Sequence, residues 1–143
     1  MTLVLLAPLI AAVVIAGAAV GLRVQGRRQQ QLVGRVVVPV DPGTADSSPS
    51  VLFFTGEACT ICHTAQRPAL ETLAAALRDQ VAVREIDIAR EPELARRYRV
   101  MSLPTTIVLD HAGEVTAINT GFASAERLRD QLSRVAAVPI AAA

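Results

Sequence analysis

Val51-Leu52-Phe53-Phe54-Thr55-Gly56-Glu57-Ala58-Cys59-Thr60-Ile61-Cys62 is the stretch on which the reading of this chain turns. Its opening apolar run suits a strand buried on both faces, as in a sheet covered by helices, and Gly56-Glu57-Ala58 turns the chain out of it. Beyond the turn, Ala65, Ala69, Leu70, Leu73, Ala74 and Leu77 recur at helical spacing, with Gln66, Glu71 and Arg78 on the opposite side. The only two cysteines in 143 residues therefore open a helix. Thiols at i and i+3 of a first helical turn lie on one face, near enough to close a disulfide with little backbone movement. Such a pair can carry two electrons. The bland alternatives are an inert bridge or buried apolar filler.

The rest of the pattern is an alternation of strands and helices. Pro68 falls inside the first helix and is expected to kink it, since it lacks a backbone donor and crowds the preceding turn. Val81 to Ile88 reads as a second strand with Val83, Ile86 and Ile88 apolar, and Glu91 to Arg99 as a short helix with Pro92 in its first turn. Tyr98, with Arg96, Arg97 and Arg99, is expected on a solvated face. Leu103-Pro104 precedes a β-branched strand, Thr105 to Leu109, and His111-Ala112-Gly113 turns it into a partner strand, Glu114 to Asn119. Ser124 is placed to cap a last helix that buries Leu128, Leu132 and Val135. The order β-α-β-α-β-β-α predicts an α/β domain, a sheet covered by helices.

The N-terminal part obeys a different rule. Thr2 to Leu22 contains no charged residue, and as a helix it would be roughly 30 Å long, about the thickness of a bilayer's hydrocarbon core. A cleaved signal peptide would have a basic start and a shorter apolar core, although Ala16-Gly17-Ala18 offers a small-residue cleavage site. An uncleaved single span is the preferred reading. Arg23, Arg27, Arg28 and Arg35 follow it, which predicts a cytoplasmic domain with the N-terminus outside; the extracytoplasmic side is the alternative. Residues 23–50 read as a linker, with Val36-Val37-Val38 as a short edge strand and Asp41 to Pro49 as loop. The expected organisation is a transmembrane helix over 2–22, a linker over 23–50 and a domain over 51–137.

Composition excludes one large class. Net charge is +1, and three Phe, one Tyr and no Trp provide no platform for stacking bases, so nucleic acid is not an expected partner. A hydrophobic share of 52% with mean hydropathy +0.41 reflects the apolar N-terminus.

From about Val51 to Val135 the chain resembles the thioredoxin family. The resemblance rests on the strand Val51 to Thr55, Cys59-Thr60-Ile61-Cys62 opening a helix, Pro68 within it, Leu103-Pro104-Thr105 before a strand, and Gly121 after the final strand. It implies a thioredoxin-like fold, a central mixed β-sheet flanked by helices, here preceded by one N-terminal transmembrane helix. It also implies a cis Leu103–Pro104 bond beside the cysteines, with Leu103 and Pro104 binding substrate. The implied activity is membrane-tethered thiol-disulfide exchange with protein substrates, without metal or cofactor and with a redox partner supplying or accepting electrons. Cys59, at the positive end of the helix dipole, becomes the thiolate nucleophile and Cys62 the resolving thiol. A cytoplasmic site favours the reductase direction. Thr60-Ile61 matches neither the Gly-Pro of typical thioredoxins nor the Pro-His of strong oxidases, and a protonated His63 would push towards an oxidising pair. Phe53 stands where thioredoxins carry a buried Asp, and Ala58 where they carry Trp. Glu57, Glu85 and His63 are then the candidate bases for Cys62.

Two rivals use the same residues. Cys59-Thr60-Ile61-Cys62-His63 also fits the attachment signature of c-type haem, with His63 as axial ligand and Met101 or His111 as the second. A non-catalytic interaction module is the other. A tetrahedral zinc site suits the adjacent Cys62 and His63 poorly.

Overall fold

The computed structural model describes residues 2–37 and 48–135. Within them lie α1 (Thr2–Gln30), β1 (Ser50–Thr55), a helix made of a π-helical stretch (Cys62–Gln66) and α2 (Arg67–Leu77), β2 (Ala82–Asp87), α3 (Pro92–Arg97), β3 (Thr105–Leu109), β4 (Val115–Thr120) and α4 (Ala125–Ser133). The element order after α1 is the one the sequence predicts. Most of the loop expected over Asp41 to Pro49 lies outside the described residues, as do Val38 and the domain's expected end at 136–137.

The four strands form one mixed sheet in the order β2-β1-β3-β4, with β1 parallel to β2 and antiparallel to β3. β1 lies inside the sheet and is buried on both faces, so alternate residues serve two cores. Val51 and Phe53 join Leu70, Leu73, Leu77, Leu128 and Leu132 on the side of α2 and α4. Leu52 and Phe54 join Ile107, Ile118, Ala95 and Tyr98 on the other. Val83, one of the apolar residues of the second strand, is exposed on β2, which pairs only with β1 among the described strands.

Packing corrects the expectations for Tyr98 and for Gln66 and Ala74, and the disturbance expected at Pro68 takes a definite form. Tyr98 is buried, its ring 5.7 Å from that of Phe54, and not on a solvated face. The change at Pro68 is a change of helix type: proline leaves the Thr64 carbonyl without its usual donor, and the preceding stretch widens so that Arg67 N–H bonds to Cys62 O, five residues back. Gln66 is fully buried on the same helical face as Leu70 and Leu73, while Ala74 is exposed.

The polar residues Arg23 to Gln30, expected as the start of a linker, continue α1. Arginine and glutamine are good helix formers, and the first chain-reversing glycine is Gly34, with φ +82°. Within α1, Ile10–Gln30 is long and apolar enough to cross a bilayer, a test that a signal sequence also passes. Of the expected edge strand Val36-Val37-Val38, Val36 makes a single antiparallel bridge to Glu114, the last of its residues lying outside those described.

Candidate active site

β1, β3 and β4 present Thr55, Thr105 and Thr120 along one edge of the sheet, and the sequence motifs meet there. The turn after β1 is closed by Cys59 N–H bonding to Gly56 O at 3.0 Å. Gly56 lies close under Leu103: a Cβ there would come 3.1 Å from Leu103 Cδ1, and that side chain would have to shift by a few tenths of an ångström. Helix then begins at Thr60, which puts Cys59 at its N-terminal boundary and Cys62 in its first turn.

Cys59 and Cys62 are joined as a disulfide with Cα atoms 5.3 Å apart. The two sulfurs are not equivalent. Cys62 is completely buried against Phe53, Leu70 and their neighbours, whereas Cys59 is only partly covered. Cys62 N–H points at Cys59 Sγ at 3.3 Å, so a donor already aims at the sulfur that would carry negative charge on reduction. An apolar cleft of about 450 Å³ opens beside Cys59, bounded by Gly56, Ala58, Ile88 and Leu103.

The Leu103–Pro104 bond is cis, as the resemblance implies. Pro104 O accepts from Gly121 N–H at 2.8 Å, tying the segment before β3 to the one after β4. The latter is fixed by Gln66, whose Nε2 donates to Ala123 O at 3.0 Å and whose Oε1 accepts from Ala123 N–H at 2.9 Å. Sequence reasoning placed Gln66 on the solvent side. A buried glutamine one helical turn beyond Cys62 is thus the residue that sets the Phe122 loop, and Phe122 itself stands half exposed.

His63 makes two contacts within the protein. Arg67 Nη1 lies 3.1 Å from His63 Nδ1, and His63 Nε2 lies 3.2 Å from Glu57 O. A guanidinium only donates, so Nδ1 accepts and the proton sits on Nε2, bonded to the Glu57 carbonyl. Arg67 is in turn held by the carboxylate of Glu85. Its hydrogen bond to Glu85, reinforced by the charge, raises the guanidinium above its already high value. Glu85 and His63 are therefore engaged with Arg67. Phe53 occupies the buried position behind Cys62 and supplies no ionisable group. The Cys59 and Cys62 sulfurs are bonded to each other, and both His63 nitrogens have partners within the protein.

The family pattern described as Thioredoxin matches residues 43–134, well over half of the chain. The chain belongs to the thioredoxin family. Among its relatives, the thioredoxin of Rhodospirillum rubrum is 37% identical over 73 residues, which cover 51% of this chain and 68% of that one. The thioredoxin of Bacillus subtilis (strain 168) is 36% identical over 67 residues, 47% of this chain and 64% of that one. A bifunctional thioredoxin reductase/thioredoxin of Mycobacterium leprae (strain TN) is 31% identical over 86 residues, 60% of this chain and 19% of that one. The chain thus spans between a fifth and about two thirds of the length of these relatives. The structure of a malaria parasite thioredoxin-2 superposes with TM-score 0.57 at 26% identity, over 61% of this chain and 82% of that one. Chloroplastic thioredoxin z gives TM-score 0.58 at 23% identity, over 64% and 80%, a likeness of fold. This thioredoxin domain keeps the disulfide and the cis-proline while replacing the buried carboxylate with Phe53.

Proposed function

We propose that the chain is a membrane-tethered thiol-disulfide oxidoreductase that exchanges its Cys59–Cys62 couple with protein substrates, working as a reductase. The observation that carries this reading is the unequal burial of a bonded pair at a helix start, beside an apolar cleft bounded by Leu103. In the reducing direction the Cys59 thiolate attacks a substrate disulfide, one substrate sulfur leaves as thiolate, and a mixed disulfide forms. Cys62 loses its proton and attacks Cys59 Sγ, which releases the second substrate thiolate and regenerates the Cys59–Cys62 bond. Two electrons pass to the substrate. A separate reductant must then return two electrons, a task that the M. leprae relative's name pairs with a thioredoxin in one chain.

Leu103, which lines the cleft together with Cys59, fits the substrate-binding role, and Pro104 follows it through the cis bond. The reductase direction follows from the cytoplasmic placement read from the arginines at the end of α1. The length and apolar character of α1 support the tether, and the arginines that follow it support a cytoplasmic domain.

The test is trapping in the cells that make the protein. Cys62→Ser accumulates mixed disulfides through Cys59, and Cys59→Ser accumulates none. Equal trapping by the two variants, or by neither, contradicts the assignment of roles.

A further inference from the structure

The end of α1 is fastened to the domain, and the fastening has a direction. Leu32 is buried in the same apolar cluster as Tyr98, Val115 and Ile118. Arg99 Nη1 donates to Arg28 O, one of the carbonyls left open at the end of α1, at 2.7 Å. Thr120 Oγ1 lies 3.2 Å from Oε1 of the buried Gln29. Further along, Gly34 N–H bonds to Val115 O at 2.8 Å, Val115 N–H to Arg35 O at 3.0 Å, and Val36 bridges Glu114. Thr120 is the end of β4 next to Gly121 and Pro104; Val115 is its other end. Between Gln29 and Val36 the chain therefore descends β4 from the disulfide's edge to the opposite edge. Traced backwards, α1 leaves the domain at the disulfide's edge, and its residues from Ile10 to Leu22 are exposed beyond it.

Distances make this restrictive. From Gln29 back to Leu22, the last residue of the uncharged stretch, is seven residues, roughly 10 Å of helix. Thr120 and the end of β1 are two strand spacings apart, about 10 Å. Seven residues of helix thus hold a bilayer entered at Leu22 within roughly 10 Å of Gln29, which packs at the end of β4 on the edge that carries Cys59. A flexible tether over 23–50 would let the domain roam about 30 Å, but the contacts of Arg28, Gln29, Leu32 and Gly34 remove that freedom. A folded domain of 100 residues, with a radius of gyration of about 13 Å, does not fit the gap.

We propose that the disulfide faces the membrane and exchanges with a cysteine pair that another membrane protein presents at headgroup depth, and not with folded proteins free in solution. The exchange is the balanced one above, the partner's disulfide accepting the two electrons. This rests on the reading of α1 as an anchor and of the cysteines as an exchanging couple.

The test uses the full chain, reduced and reconstituted in phosphatidylcholine vesicles. One probe is a single-span peptide with an intramolecular disulfide in its headgroup-level flank; the other is a folded, disulfide-containing protein of about 100 residues in solution. The parent chain is expected to reduce the membrane peptide at least tenfold faster. Inserting about twelve Gly/Ser residues after Arg23, which adds roughly 20 Å of flexible reach, is expected to bring the two rates within threefold. A parent chain that floats with the vesicles and treats both probes alike overturns the proposal and leaves the other two readings standing. A chain that does not float overturns the anchor, and one that floats but reduces neither probe overturns the oxidoreductase reading; the proposal falls with either.

Discussion

Arg67 and His63, one helical turn apart, are joined by a guanidinium that donates to Nδ1 across 3.1 Å. The contact fixes the imidazole as the Nε2–H tautomer and spends its proton on the Glu57 carbonyl, two residues before Cys59. Arg67→Met should release the ring. Imidazole ¹⁵N shifts are expected to report a single tautomer in the parent and a mixture in the variant. Stability should fall by no more than about 1 kcal/mol, because the Arg67–Glu85 pair is substantially exposed. Unchanged ¹⁵N shifts would show that another group orients His63.

Gln66 offers a larger effect. Its amide satisfies both the N–H and the C=O of Ala123, all of them buried. Gln66→Leu strands both backbone groups in the core, and the expected loss is about 2–4 kcal/mol in urea denaturation. A loss below about 0.5 kcal/mol would mean that the Phe122 loop finds other partners, contrary to the role given to this amide.

Tyr98 makes stability depend on alkaline pH. Burial pushes its phenol up, partly offset by the positive charge of Arg84. A raised value favours the neutral phenol in the fold, so this contribution is complete below about pH 10, the ordinary tyrosine value, and is lost as pH rises through the raised one. The chain contains no lysine and a single tyrosine, and its cysteines are bonded, so no other side chain titrates in that range. Denaturation midpoints should therefore decline above about pH 10 in the parent and stay level in Tyr98→Phe, which keeps the ring packed on Phe54.

The particular residues that the sequence placed well, and those it misplaced, differ in a physical way. Val51 to Phe54 announces a doubly buried strand because four consecutive apolar residues have no other economical place, and Cys59, Cys62 and Pro104 announce the edge where they meet. Gln66 was hidden by its polar amide, which suggested solvent. Counted at 3.6 residues per turn it shares the buried face of Leu70, Leu73 and Leu77, so the period itself placed it inside. Tyr98 was masked by its arginine neighbours; it follows the end of α3, so the helical face of Arg96 and Arg97 does not govern it. The docking of α1 had no local signal. Gln29 and Thr120 are 91 residues apart, and a polar stretch after an apolar helix reads the same whether it hangs free or lies against a sheet.

The account depends on a dithiol whose two sulfurs have different jobs, and alkylation of the reduced chain with iodoacetamide, followed residue by residue by mass spectrometry, tests this most directly. At pH 7 Cys59 should react at least tenfold faster than Cys62, with Cys62 reaching a comparable rate only in denaturant. Equal rates in the folded protein, or faster modification of Cys62, would contradict it.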